Sequence, residues 1–156
     1  MSPAGRSLID KQERCLRCDG LLVLEEEEGD ESVSTVRRAW ATWLSGDVDG
    51  FLDQNDPNVE IRPGTAELTG VQPVYRGHAG IRRCMEDCSD WEILPNELQT
   101  FGDRVLTLGR LLQKGAKGAT YAVAWVFHVK GGKIVSTRGY LNPADALRDL
   151  RSEATD

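Results

Sequence analysis

Two histidines and one arginine are the side chains of this sequence best suited to polar chemistry within predicted elements. His78 opens a predicted helix, and Arg110 and His128 lie in predicted strands. An imidazole can accept or donate a proton near neutral pH, and a guanidinium can hold an anion. His78, Arg110 and His128 are therefore the candidate catalytic residues.

Each of these side chains also has a structural interpretation. His128 alternates with Trp125 along its strand, so it lies on the opposite face and would point to solvent or to a partner subunit. His78 at a helix start could make a local hydrogen bond. Arg110 lies in a strand that is apolar on both faces, where a buried guanidinium would need an acidic partner.

Four cysteines could supply metal or redox chemistry. Cys15 and Cys18 form one CxxC pair, which is half of a structural zinc site, so we predict no metal and keep these two as the candidate ligands. A redox role for the CxxC pair stays open. Cys84 and Cys88 are spaced i, i+4 on a predicted helix, with β-carbons roughly 5–6 Å apart. A disulfide needs a shorter separation, so these two should stay reduced.

Carboxylates are absent from the later strands. Between Arg104 and Leu141 the sequence contains no Asp or Glu. General acid–base catalysis needs a positioned proton carrier. We therefore expect no carboxylate catalysis from this part of the chain.

Composition limits the partners. The chain has 156 residues and a net charge of −6, which argues against nucleic acid, since binders of nucleic acid present a basic surface. No apolar run approaches the roughly 18–20 residues that cross a membrane, and the first residues do not resemble a secretion signal. We expect a cytoplasmic protein without a membrane partner.

The chain divides into three predicted segments. Residues 1–31 end in an acidic run and are predicted to be a flexible tail, in which residues 21–24 could form one short strand. Residues 32–150 form the predicted domain, and residues 151–156 a disordered C-terminus.

Within the domain, hydrophobic spacing predicts the elements. A helix capped by Ser32 ends at Gly46, and Asp47 caps a short second helix. After a turn at Asn55–Asn58 and a strand at Val59–Arg62, a third helix opens at Gly77. The chain then forms a last helix after the strands Trp91–Phe101, Arg104–Gln113, Thr120–Lys130 and Lys133–Leu141. This order predicts an α+β fold, with helices on one face of a curved antiparallel sheet.

Four motifs in this order resemble a known family: Ser45–Phe51, Asp56–Glu60, Tyr75–Ile81 and Gly132–Val135. The chain over 32–150 is similar to the SnoaL-like branch of the nuclear transport factor 2-like superfamily. The resemblance implies a cone-shaped curved sheet wrapped around the N-terminal helices, a cystatin-like α+β barrel with a pocket, and a homodimer. The superfamily includes ketosteroid isomerases, polyketide cyclases and epoxide hydrolases.

The catalytic acids of those enzymes have no counterpart at the matching positions. The resemblance places the base of the isomerases at Ile61 and their oxyanion acid near Trp125. It places the late-strand acid of the hydrolases and cyclases at Gly139. None of these three residues can exchange a proton, so the resemblance implies that the usual chemistry is missing.

The resemblance also implies which residues face the pocket. The expected ligand-binding residues are Trp40, Ile61, Val123, Trp125, Phe127, Thr137, Gly139 and Leu141. Core packing alone would also explain the tryptophans. We expect the protein to bind a small apolar molecule without a cofactor. The alternatives are an isomerase, cyclase or hydrolase acting on a polyketide-like or steroid-like molecule, and a non-catalytic dimerisation or regulatory module.

Overall fold

The computed structural model describes residues 22–23, 30–64, 71–115 and 120–155. These residues form four helices and seven strands. The helices are α1 (Asp30–Ser45), α2 (Val48–Asp53), α3 (Gly77–Asp87) and α4 (Pro143–Thr155). The strands are β1 (Leu22–Val23), β2 (Asn55–Arg62), β3 (Tyr75–Arg76), β4 (Trp91–Phe101), β5 (Arg104–Gln113), β6 (Thr120–Lys130) and β7 (Lys133–Tyr140).

The strands form one mixed, unclosed sheet in the order β1-β4-β5-β6-β7-β2-β3. Strands β4 to β7 form an antiparallel meander. Two pairings are parallel, β1 with β4 and β2 with β7, where the sequence predicted an antiparallel sheet. The predicted class, α+β with a curved sheet around helices, is confirmed.

Three irregularities in the ladders help to bend the sheet. The register shifts between Asn55 and Glu60 in β2, between Pro95 and Glu97 in β4, and between His128 and Val129 in β6. Bulges of this kind bend a strand and increase its twist. In β4 the shift follows Pro95, which has no backbone N–H to donate to a ladder.

Helix α1 lies in the concavity of this sheet and contacts β4, β5, β6 and β7. Val33, Val36 and Trp40 recur at helical spacing and are buried, as the sequence predicted. The helix ends where Gly46 takes a φ of 77°. The Asp47 side chain then accepts a hydrogen bond of 3.0 Å from the Gly50 backbone N–H and caps α2.

The two faces of the sheet are covered by different elements. On the concave face the main core joins α1, α2 and α3 to the strands. On the convex face, α4 packs Ala146 and Leu150 against Leu106, Ala124 and Val126. Strand β6 therefore contributes alternate residues to two apolar layers, as the period of two predicts.

Some boundaries differ from the predicted ones. Helix α1 begins at Asp30 instead of after Ser32, and α4 continues to Thr155, into the segment predicted to be disordered. The predicted turn Asn55–Asn58 is wrong, because these residues belong to β2. They keep a turn-like feature, since the Asp56 carboxylate accepts a hydrogen bond from the Asn58 backbone N–H. No helix in the described ranges is long and apolar enough to cross a membrane.

Candidate functional site

A cavity lies between the helices and the concave face of the sheet. Its volume is about 70 Å³, compared with the roughly 10–15 Å³ that one water molecule requires. We call it the aromatic cavity. Its lining consists of Ala39, Trp40, Trp43, Phe51, Ile61, Pro63, Cys84, Cys88, Trp91, Ile93, Leu111, Trp125, Phe127 and Thr137.

All four tryptophans of the chain line the aromatic cavity. Helix α1 contributes Trp40 and Trp43, one turn apart on one face, while Trp91 and Trp125 come from β4 and β6. The Trp40 ring meets Trp125 edge-on at a centroid distance of 5.0 Å. It meets Phe127 in the same way at 5.7 Å. Such edge-to-face pairs hold aromatic rings in fixed orientations.

A buried hydrogen bond fixes the Trp40 ring. Its indole Nε1–H donates to the Thr107 hydroxyl oxygen over 3.0 Å. Thr107 is fully buried in β5, so this bond gives the buried indole N–H an acceptor within the protein. The ring can therefore present an apolar surface to the cavity without an unpaired donor.

Five of the eight predicted ligand-binding residues line the aromatic cavity: Trp40, Ile61, Trp125, Phe127 and Thr137. Val123 is buried in the same core, and Gly139 is also buried, but neither is part of the lining. Leu141 is 39% exposed. It lies beyond the end of β7, where Asn142 already turns the chain into α4 through a hydrogen bond with the Ala144 N–H.

Backbone fills the space beside Gly139. A β-carbon on this residue would overlap the carbonyl oxygen of Pro63, and it would lie 3.3 Å from Cδ1 of Trp125. A β-carbon on Gly64 would likewise overlap the Gly139 carbonyl. The resemblance places an acid at Gly139, and here the chain leaving β2 occupies the space that its side chain would need.

The predicted catalytic residues lie outside the lining of the aromatic cavity. The His78 Nε2 lies 3.0 Å from the Asn55 carbonyl oxygen and links α3 to β2. Arg110 is exposed on the convex face and contacts the Thr120 hydroxyl at 3.5 Å, so its guanidinium does not require the acidic partner that a buried one would need. The two apolar faces of β5 have another cause: α4 covers Leu106 and Leu108 on the convex side.

His128 borders a second cavity, of about 200 Å³, on the other side of the sheet. Its Nε2 lies 2.9 Å from the Asp103 carboxylate. Partial burial of Asp103 opposes its ionisation, but the hydrogen bond from His128 and the charges of His128 and Arg104 hold its pKa below the usual range. The imidazole is therefore paired away from the aromatic cavity.

Most of the cavity lining that α1, α3 and β4 contribute was not predicted from the sequence. Trp43 could have been found, because it lies three residues after Trp40 on the same helical face. The i, i+4 spacing of Cys84 and Cys88 predicts that they share one face of α3, but it does not indicate what that face contacts. Trp91 and Ile93 are two positions apart in β4, so their side chains lie on the same face of the sheet. This spacing was the feature of the sequence that could have predicted them as lining residues.

Metal ligands are not grouped within the described ranges, where no cluster of three or more His, Cys, Asp or Glu side chains is arranged to hold an ion. Cys15 and Cys18 lie outside the described residues. Their role as ligands or as a redox pair stays a prediction.

A polar link lies behind the last turn of α3. The buried Tyr75 hydroxyl donates a hydrogen bond to the Asp87 carboxylate and accepts one of 2.9 Å from the Gln72 N–H. Arg83 contacts the other Asp87 oxygen at 3.1 Å. The Tyr75 hydrogen bond, with a further contribution from Arg83, lowers the pKa of Asp87. Burial and Asp87 raise the pKa of Tyr75, which stays protonated.

This link predicts a pH-dependent contribution to stability. The folded state lowers the pKa of Asp87, so the contribution is present above the unfolded value of about 3.9 and is lost as pH falls through the folded value. We expect Tyr75→Phe to lower the melting temperature at pH 7 by several degrees and to lower it less below about pH 4. Thermal melts between pH 3 and pH 7 would measure this, with the exposed Tyr121→Phe as control. A deficit independent of pH would contradict it.

Comparison with solved structures places this fold among nuclear transport factor 2-like proteins. A protein of that class from Burkholderia xenovorans LB400 is 29% identical, with a TM-score of 0.55 over 71% of this chain and 88% of that one. TerC, co-crystallised with polyporic acid, is 21% identical with a TM-score of 0.63, over 77% of this chain and 97% of that one. A provisionally assigned polyketide cyclase from Sinorhizobium meliloti is 16% identical with a TM-score of 0.58, over 68% of this chain and 93% of that one.

The open curved sheet, its internal helices and these likenesses define an NTF2-like α+β cone. A family profile described as a SnoaL-like domain matches residues 36–137, more than half of the chain. The chain therefore belongs to the SnoaL-like domain family. No curated protein matches it.

Proposed function

We propose that this SnoaL-like domain binds a small apolar molecule in the aromatic cavity, without acid–base carboxylates. The observation that carries the proposal is the lining, which brings together all four tryptophans, two phenylalanines and several aliphatic side chains. Pockets for small molecules are mostly apolar and aromatic, with a few polar groups that orient the ligand. Here the lining residues that carry polar side-chain groups are Thr137, Cys84, Cys88 and the tryptophans, whose indole N–H groups are hydrogen-bond donors.

The size of the cavity limits the ligand. A volume of about 70 Å³ is several times the roughly 10–15 Å³ needed by one water molecule. It suits a short branched chain, and a single ring fits if the lining side chains move slightly, since a cavity of about 150 Å³ binds benzene. A steroid-sized molecule would require the tryptophan side chains to move. We therefore propose a monocyclic or smaller apolar ligand.

The absence of carboxylate and imidazole groups favours binding over acid–base catalysis. Among the described residues that line the cavity there is no Asp, Glu, His, Lys or Arg. The superfamily's isomerases, cyclases and hydrolases, as the resemblance describes them, exchange protons through such positioned acids. The enzymatic alternative stays a prediction, as do homodimerisation, a cytoplasmic location and a regulatory role.

A binding experiment tests the proposal. A panel of monocyclic ketones and phenols would be screened by thermal shift and by tryptophan fluorescence, because a ligand in the cavity contacts several indoles at once. For a hit, we expect Trp125→Ala to weaken binding about tenfold, since an aromatic side chain contributes roughly 1–2 kcal/mol to a buried apolar contact.

The matched control is His128→Ala, in the same strand on the opposite face. We expect it to leave the affinity unchanged. If the wild type and Trp125→Ala bind the ligand with equal affinity, the ligand does not bind in the aromatic cavity. A loss of binding in His128→Ala would place it on the convex face.

A further inference from the structure

Two free thiols enter the wall of the aromatic cavity from the last turn of α3. Cys84 is 4% exposed and Cys88, at the end of the helix, is half-buried. Their sulfur atoms lie 3.9 Å apart, and both residues line the cavity. Because the two residues are spaced i, i+4, the helix places both side chains on the same face.

The two thiols are not equivalent. They share a hydrogen bond, and Cys84 is the more deeply buried partner. That hydrogen bond and burial raise the pKa of Cys84, so Cys84 keeps its proton and is the partner that can donate the hydrogen bond to a Cys88 thiolate. The donated hydrogen bond lowers the pKa of Cys88, although burial and the Asp87 carboxylate oppose this change. Cys88 is also the less buried of the two and so the one that water can reach, and a thiolate of this pair therefore forms on Cys88.

The surroundings of Cys88 decide what it can meet. Aromatic and aliphatic side chains make up most of the described lining, so a molecule that reaches the sulfur must be largely apolar. A thiolate is a soft nucleophile, and it is the reactive form of cysteine. Holding an apolar molecule against it would convert a slow bimolecular encounter into a step within one complex.

We propose that the aromatic cavity takes an apolar ligand with an electron-poor carbon–carbon double bond, an α,β-unsaturated carbonyl compound, and that Cys88 Sγ adds to this bond. This inference rests on the proposed function, because it assigns a chemical class to the ligand of the same cavity. Cys84 is a positioning residue, and its S–H stabilises the thiolate of Cys88.

The addition is balanced without an oxidant or a second reactant. The Cys88 S–H loses its proton to water, and the sulfur lone pair forms a C–S bond at the β-carbon. The π electrons of the C=C bond move to the carbonyl oxygen and give an enolate, which takes a proton from water at the α-carbon. The sum is one S–H bond and one π bond broken, and one C–S bond and one C–H bond formed.

A matched pair of ketones tests the inference on the full chain. Cys15→Ser and Cys18→Ser would remove the other two thiols of the sequence. Cyclohexenone carries the reactive double bond, and cyclohexanone has the same ring without it. By intact-mass spectrometry we expect one adduct with cyclohexenone, located at Cys88 by peptide fragmentation, and none with cyclohexanone. The folded chain should react at least about tenfold faster than the chain unfolded in guanidinium, because only the fold holds the ketone against the sulfur.

Variants at both cysteines separate chemistry from packing. Cys88→Ser and Cys88→Ala should abolish the adduct. One of these two variants is enough for the test, provided that it keeps the wild-type melting temperature. Cys84→Ala should slow the reaction about tenfold, since it removes a hydrogen bond to a charged group. Cys84→Ser keeps a donor and should restore most of the rate. A Cys84→Ser variant as slow as Cys84→Ala, an adduct on Cys84, or equal rates for folded and unfolded chains would overturn the inference.

Cyclohexanone distinguishes this failure from failure of the proposed function. If cyclohexanone changes the tryptophan fluorescence and cyclohexenone forms no adduct, the cavity binds apolar rings and the reactive role of Cys88 is wrong. If neither ketone changes the fluorescence or the mass, the proposed binding of monocyclic ligands is wrong as well.

Discussion

Replacing Gly139 with Ala is expected to destabilise the domain by at least about 3 kcal/mol, at the upper end of overpacking effects. The added β-carbon would overlap the Pro63 carbonyl oxygen, which is backbone and cannot rotate away as a side chain would. The chain around Pro63–Gly64 must therefore shift, or β7 must separate from it. Guanidinium denaturation followed by circular dichroism would measure the change in the free energy of unfolding. In a thermal melt, we expect the melting temperature to fall by about 10 °C.

Gly131→Ala is the matched control for this substitution. Gly131 has a φ of 57°, and a β-carbon there would meet nothing within 4 Å, so the change tests backbone strain without overlap. We expect a cost of about 1 kcal/mol. Similar costs for the two alanine variants would show that the backbone beside Gly139 yields easily. In that case Gly139→Asp could restore a carboxylate at the position where the resemblance places one.

Trp40→Ala is expected to cost about 3–5 kcal/mol. The substitution removes a large buried side chain, two edge-to-face ring contacts and the partner of the buried Thr107 hydroxyl. It should also enlarge the aromatic cavity, because Trp40 is part of its wall. Chemical denaturation would measure the loss of stability.

Two comparisons identify the source of that loss. Leu44→Ala, at a 45% exposed position of the same helix, should change the free energy of unfolding by no more than about 0.5 kcal/mol. A double-mutant cycle of Trp40→Phe with Thr107→Val should give a coupling energy of about 1 kcal/mol for the hydrogen bond. A coupling energy near zero would show that the bond contributes nothing to stability.

The sequence predicted the elements well because their signals are local. The bounds of Trp91–Phe101, Arg104–Gln113 and Thr120–Lys130 agree with the structure to the residue. Turn glycines and alternating hydrophobicity lie within a few residues of each strand that they define. The Asp47 cap and the glycine at the end of α1 are signals of the same kind.

The pairing of elements distant in sequence could not be read in this way. The parallel contact between β2 and β7 joins residues that are about 75 positions apart, such as Ile61 and Thr137, and neither strand alone indicates which edge it uses. The exposure of Arg110 could not be predicted for a related reason, since α4 gives β5 a second apolar face. The approach of Pro63 to Gly139 is likewise visible only once β2 and β7 lie side by side.

The same parallel pairing orders the folding of the chain. Strand β2 is complete at Arg62, but its neighbour β7 is complete only when the ribosome has reached Tyr140. During synthesis, α1, α2 and β2 therefore lack the strands of the sheet against which they pack. Contacts of such wide sequence separation form late and slow the search for the native state. The hollow that all four indoles surround should consequently be among the last parts of this protein to take shape.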